Sequence, residues 1–320
     1  MARLMRQAGL AVLAVAISLQ AMAEAFPSRP IRLIYPFAPG SGIDSAVRGV
    51  AYELSKALGS PVVVDNKPGA SSVIGVDAAA KARPDGYTLV VVANSFTVNH
   101  TLVSRLPYDT LKDFRPVGLM FRSPTLLVGR RDVPAKDLRE LVAYAQAHPC
   151  ELSYASPGQG TVQHLTFESL KALAGVDVLH VPYKNAAIND LLGGQVDLMI
   201  ANLSSVLPHV RAGRLRPFGL TTAARAAAAP DLPTIAEQGY PQFDASAWFG
   251  MLAPAAAPDE AVKRMNDELV RVLLAEAFGS SLVARGVEPI PGTPEQFGTH
   301  IRTEIARYAK LIKLANLKLE

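Results

Sequence analysis

The feature that most narrows what this chain can become is its rhythm. Short apolar runs rich in β-branched residues alternate with amphipathic stretches of helical spacing, and glycine-bearing loops mark the joins. "IRLIYPFA" (31–38) reads as a buried strand running into Gly40. "SAVRGVAYELSKALG" (45–59) reads as a helix with Val47, Val50, Leu54 and Leu58 on one face and Gly59 as its stop. "PVVVDNKPG" predicts a second strand, "VIGVDAAAKARPDG" a helix ending at Pro84, and "YTLVVVANS" (87–95) a strand suited to the middle of a sheet. Parallel strands need a long crossover between them, so β-α-β-α-β in this order predicts a parallel, doubly wound sheet.

A second series begins after "LLVGRRDVP" (126–134). It runs through a helix stopped by Pro149, a strand at 151–158 ending in glycines, a helix from Val162 to about Leu173 and a strand at 178–183. A further helix and a strand at 196–203 follow. After Trp248 come a strand, a Pro-rich corner, one long amphipathic helix and a last helix at 294–316. Two α/β units joined without a long linker suit a cleft that closes by hinge motion. Ligands of open α/β sheets sit beyond the carboxyl ends of the strands, which selects the loops after Phe37, Ala93, Ala155, Pro182 and Ala201.

The first residues read differently. Arg3 and Arg6 precede a 12-residue apolar run (8–19), and Ala21 to Ala23 are small residues suited to cleavage. This predicts a secretory signal peptide over 1–23, with Ala25 as a second cleavage point, and therefore a periplasmic protein. Without that leader the chain carries 30 basic against 28 acidic residues and no basic block, which excludes a nucleic-acid partner. The lone Cys150 has no internal disulfide partner and is expected to be a buried small hydrophobe. The six histidines are scattered with no HExxH pattern, so neither a metal nor any other cofactor is expected.

Two loops carry the chemistry. In "FAPGSGID", Gly40 and Gly42 allow a tight turn and close ligand approach, Ser41 adds a hydroxyl, and a helix starts just beyond. Free amides at a helix N-terminus suit an anion. Asp44 reads either as the N-cap of that helix or as a ligand contact through water. "ASPGQGTVQH" (155–164) repeats the design with Ser156, Gly158, Gln159, Gly160 and Thr161, but lacks the third Gly of a dinucleotide fingerprint. His164 either packs on the first helical turn or faces the cleft. One loop per unit could hold each end of a dicarboxylate. No GxSxG, Walker loop or nucleophile–base–orienter set is present, so no catalytic residue and no enzyme is expected.

Longer segments carry a resemblance. "FPSRPIRLIYPFAPGSGID", "LPYDTLKDFRPVGLM", "HVPYKNAAINDLLGGQVDLM" and "GVEPIPGTPEQFGTHIRTEIARYAKLIK" resemble the extracytoplasmic solute receptors of the tripartite tricarboxylate transporter type, the Bug family, over residues 26–320. The resemblance implies an α/β two-domain periplasmic binding protein (Venus-flytrap) fold with the ligand cleft between the domains. It divides the chain into domain 1 (24–123), domain 2 (124–247) and a return to domain 1 (248–320). It implies a monomer that binds a small carboxylate and delivers it to membrane permease subunits; a ligand sensor acting on a membrane kinase and a secreted α/β hydrolase are the alternatives. The implied ligand contacts are Phe37, Ala38, Ser41, Gly42, Asp44, Asn94 and Ser95 in domain 1. In domain 2 they are Ser156, Gly158, Gln159, Gly160, Thr161, His164, Tyr183 and Asn202. The chain departs from the family pattern at Gly-Ser-Gly (40–42), Asn185 and Ala201, and an acid missing at Ala201 disfavours a ligand amine.

Overall fold

The computed structural model describes residues 26–40, 42–183 and 187–314. The expected signal peptide, Ser41 and Asn185 lie outside the described residues. Strands β1 (Ile31–Tyr35), β2 (Val62–Asn66) and β3 (Thr88–Ala93) are separated by helices α1 (Gly42–Leu58) and α2 (Val73–Ala80). β1 pairs in parallel with both β2 and β3, as the β-α-β-α-β rhythm predicts. Helix α3 (Asn94–Leu102) then leads to β4 (Phe114–Arg130), 17 residues long.

The second series follows as α4 (Leu138–Ala147), β5 (Ser153–Ser156), α5 (Val162–Ala174), β6 (Leu179–Pro182) and α6 (Ile188–Leu192). β7 (Leu198–Asn202), α7 (Leu203–Arg211) and β8 (Leu215–Leu220) complete it. β9 (Ser246–Pro254), α8 (Asp259–Leu274), α9 (Glu276–Val283), β10 (Glu288–Pro289) and α10 (Pro294–Leu314) finish the described chain.

β4 belongs to two sheets. From Phe114 to Pro124 it pairs antiparallel with β9, and from Thr125 to Arg130 with β7 on one edge and β8 on the other. The hydrogen-bonded order is β2-β1-β3-β9-β4-β7-β5-β6, with β8 and β10 also on β4. Each sheet is covered on both faces, which explains its apolar strands. α1 and α8 pack on one face of the first lobe, and α2, α3 and α10 on the other. α6 and α7 cover one face of the second lobe, α4 and α5 the other. A smaller cluster joins the lobes: Val98 and Leu102 of α3 meet Val162 and Leu165 of α5 beneath Tyr308 and Ile312 of α10.

Several elements depart from the expected boundaries. α1 starts at Gly42, three residues early, so Asp44 lies inside its first turn and is not the N-cap. The strand expected to run to Ser95 ends at Ala93. The single long helix after the Pro-rich corner is two helices, because Ala275 is extended (φ −62°, ψ 120°) between α8 and α9. Cys150 is exposed, not buried; it sits in the α4–β5 turn at φ +60°, with its thiol donating to Asp177 Oδ2 at 3.2 Å.

α10 is anchored through buried polar contacts as well as its apolar face. Trp248 Nε1 donates to Glu304 Oε2 at 2.9 Å, and Asn94 Nδ2 donates to Tyr308 Oη at 2.9 Å. The fit is closest where α10 crosses β9: a Cβ on Gly250 would stand 2.2 Å from the ring of fully buried Phe297. Gly250→Ala is therefore expected to cost about 1–3 kcal/mol through overpacking. A denaturant midpoint unchanged from wild type would show that the ring has room to retreat.

Candidate functional site

Four helices follow strand carboxyl ends: α3 and α7 directly beyond β3 and β7, α1 and α5 after short loops beyond β1 and β5. They meet across the lobes. α1 of the first lobe approaches α7 of the second, and α3 touches α5 through the shared apolar cluster. The first turn of each helix has amides with no intrahelical partner and carries the positive end of the helix dipole. Across the lobes, α3 is in contact through Val98 and Leu102 of its later half, and α5 through Val162 and Leu165 of its first turn.

In the first lobe the loop after β1 is held from behind. Phe37 is half-buried, its ring 5.1 Å from that of Tyr35 and 6.4 Å from that of Phe249, and Ala38 is exposed. Asn66, at the end of β2, donates from Nδ2 to the Phe37 carbonyl at 3.0 Å and to Asp44 Oδ1 at 3.3 Å. Asp44 Oδ2 accepts from the Gly40 amide and from Arg48 Nε, both at 3.0 Å. Gly40 has φ +91°, a conformation that glycine adopts without cost. Burial raises the Asp44 pKa, but hydrogen bonds from Gly40, Arg48 and Asn66 outweigh it and hold the carboxyl below its usual range. Asp44 therefore braces the loop, and the Arg48 guanidinium is committed to Asp44 and Asn66.

At the end of β3, Asn94 is buried and spends its amide on structure. Nδ2 donates to Ser246 O and Tyr308 Oη, and Oδ1 accepts the Trp248 amide. Ser95 Oγ lies 2.8 Å from Ser72 Oγ. Ala70, Ser71 and Ser72 all have positive φ (46°, 50° and 77°), strain that such residues carry only where their surroundings fix it. Asn99 Nδ2, donating to Ser71 O, and the Ser95 contact tie this turn to α3.

The second-lobe loop is tied inward in the same manner. Ser156, fully buried, holds His180 Nε2 at 2.7 Å and accepts the Gly158 amide at 3.1 Å. Thr161 Oγ1 donates to Gly158 O at 2.7 Å and caps α5 by accepting from His164 N. His164 is buried, so of its two sequence readings the structure shows the packed one; its Nδ1 accepts the Gly160 amide at 3.1 Å. Its ring lies 4.2 Å from that of His180, in a column continued by Tyr154 and Phe167. Gln159 is exposed. Tyr183 donates its amide to Ser156 O at 2.9 Å, and burial with a hydrogen bond to Asp190 raises its phenol pKa.

Asn202 ends β7 opposite Thr125, and its Oδ1 is buried with no protein partner among the described residues. Ala201 does not face the junction: its methyl packs in the second-lobe core with Leu126 and Val206. The preference against a ligand amine drawn from it loses its basis. Sequence reasoning missed Asn66, Arg48 and His180, which touch the loops from neighbouring strands and helices and belong to no local motif. Among the described site residues none is Lys or Arg, and no cluster of metal-ligating side chains occurs among the described residues.

Two lobes built on one shared strand, with helices from strand carboxyl ends in contact across them, define a solute-binding protein of the two-domain periplasmic type. The tripartite tricarboxylate transporter family receptor model matches residues 46–317, and this chain belongs to that family. It is similar to the solved Rpa4515 of R. palustris with adipate, at 35% identity and TM-score 0.87, covering 92% of this chain and 99% of that one. It is also similar to the periplasmic binding protein BugD, at 32% identity and TM-score 0.85, with 92% and 100% covered. MatC from Rhodopseudomonas palustris with bound malate matches at 31% identity and TM-score 0.82, over 90% and 100% of the two chains.

Burial, reinforced by the nearby His180, pushes the His164 pKa down to about 4. Between pH 6.5 and 4 the unfolded chain binds a proton at this residue that the folded chain refuses. Its contribution is intact above pH 6.5 and is lost as pH falls through that window, by up to about 1.4 kcal/mol per pH unit. Urea unfolding across the window should show a shallower pH slope in His164→Phe than in wild type; equal slopes would mean that His164 titrates freely in the folded protein.

Proposed function

We propose that this protein captures a small organic carboxylate between its lobes in the periplasm and delivers it to the membrane subunits of a tripartite tricarboxylate-type transporter. The supporting observation is that four helices, two from each lobe, start beyond strand carboxyl ends whose described residues carry no cationic side chain, and that α1 meets α7 and α3 meets α5 across the lobes. Such a site binds carboxylates through amides and hydroxyls. Its two-sided build favours a dicarboxylate with one end on each lobe, and the relatives holding adipate and malate agree with that choice.

We assign the contacts accordingly. Ser41, Gly42 and the first turn of α1, with the backbone at Asn94 and Ser95, take one carboxylate, and Phe37 and Ala38 cover the ligand's apolar middle. The amides of the 158–161 loop and of α5 take the other, with Tyr183 and Asn202 closing the side. Asp44, Ser156, Thr161 and His164 act by holding these loops. The hinge lies at Pro124–Thr125 and near the start of β9, bounding a domain 2 of 124–247; the change of β4's partners from β9 to β7 supports this reading. Ligand shifts the lobes toward closure by its greater affinity for the closed state. Export by the 1–23 leader brings the chain to its site of action.

The test is a thermal-shift panel on protein freed of bound ligand by unfolding and refolding, with adipate, malate, monocarboxylates, aromatic acids and acidic amino acids. A carboxylate at 100 times its dissociation constant adds about 2.7 kcal/mol and raises the unfolding temperature. Gly42→Val, which crowds the loop with a side chain, should weaken that ligand at least tenfold while the free protein unfolds near the wild-type temperature. No shift with any carboxylate in protein shown to have refolded would overturn the receptor reading.

A further inference from the structure

The second-lobe loop rests on two histidine rings. His180 Nε2 is hydrogen-bonded to Ser156 Oγ, the same oxygen that accepts the Gly158 amide, and His164 Nδ1 accepts the Gly160 amide. Both glycines lie at positive φ, +132° and +73°, and their amides end on these two groups. An accepting Nδ1 places the His164 proton on Nε2 and requires a neutral ring. The rings lie 4.2 Å apart at 26°, so a proton on either sets a positive charge against the other's face.

The surrounding groups do not offer a free counter-charge. Glu168 of α5, the nearest carboxylate, accepts from Tyr154 Oη of β5 at 2.6 Å and from Lys171 Nζ at 3.0 Å, and Lys171 itself repels an imidazolium. Burial disfavours the charged form of both rings, with Glu168 opposing and Lys171 adding to that effect. The pair is built to stay neutral under the loop.

We propose that His164 and His180 are positioning residues for ligand capture: as a neutral stacked pair they hold the 156–161 loop in the shape that presents the first turn of α5, and protonating the pair releases the loop. Its ligand consequence rests on the receptor reading above; its structural half does not.

Nuclear magnetic resonance on the ligand-free chain tests that half. At pH 7.5 the Gly160 amide should be protected from exchange and His164 Nδ1 should give the nitrogen shift of an acceptor. On acidification both signatures should vanish together, before the far-ultraviolet circular dichroism changes. His180→Phe keeps the stack and removes the Ser156 bond, so Gly158 and Gly160 exchange should rise at least tenfold, and His180→Gln, which restores a hydrogen-bonding group, should recover much of it. With adipate and malate as probes at pH 7.5, affinity should fall about tenfold in His180→Phe and return in His180→Gln. A Gly160 amide that stays protected while the His164 ring titrates, or that ignores His180→Phe, would overturn the proposal. If His180→Phe fails to fold, the wild-type titration decides alone. A wild type that binds neither probe counts against the receptor reading and leaves the exchange result standing.

Discussion

The structure depends on the backbone hydrogen bonding of one strand. β4 is buried without interruption from Ser123 to Gly129, so its amides and carbonyls must be met by protein. They are met by different partners in its two halves, β9 and β10 first and then β7 and β8. Pro124, which has no amide to donate, stands where the partners change, and Pro116 stands at a register shift, the positions a sheet tolerates. Beside the change-over, the Thr221 amide donates to Thr125 O, its hydroxyl to Ala245 O, and the Ala245 amide returns to Thr221 O. The lobes are thereby joined by satisfied backbone at the point where β4 changes sheets.

The two sides of the junction reach a similar result by different chemistry. In the first lobe a carboxylate, an amide and a guanidinium bind one another behind the Gly40 turn, with Arg48 donating to both Asp44 and Asn66. In the second, two stacked imidazoles and the Ser156 hydroxyl hold Gly158 and Gly160. In both, polar side chains turn back on the loop they follow, while Gln159 of the second loop stays exposed.

Much of the fold was legible in the sequence, because β1, β2, β3 and the β5-to-β7 series are apolar runs whose period and punctuation match their structure. What escaped is held together over distance. "NSFTVNHTL" has β-branched residues and asparagines that argue against helix, yet α3 forms there. Its first residue, Asn94, is bound to Ser246, Trp248 and Tyr308, and tertiary contacts override weak propensity. β4 was hidden by its prolines and Gly118, and α7 by Pro208. At the site, the glycine loops were visible as local patterns. Asn66 and His180 were not, because nothing near them in sequence marks a partner on the next strand.

The pairing of β4 with β9 has a consequence for how such a molecule can be rebuilt. Ser246 faces Pro124 across adjacent strands, so the chain leaves the first sheet and re-enters it at neighbouring points. Every strand of the second sheet beyond β4 itself lies between those two points. Neighbouring strands are about 5 Å apart. The second lobe is therefore attached like a bead on a loop with touching ends. A differently shaped lobe grafted there would keep the spacing of two strands, and would also have to cover Val98, Leu102, Tyr308 and Ile312, which now pack on Val162 and Leu165.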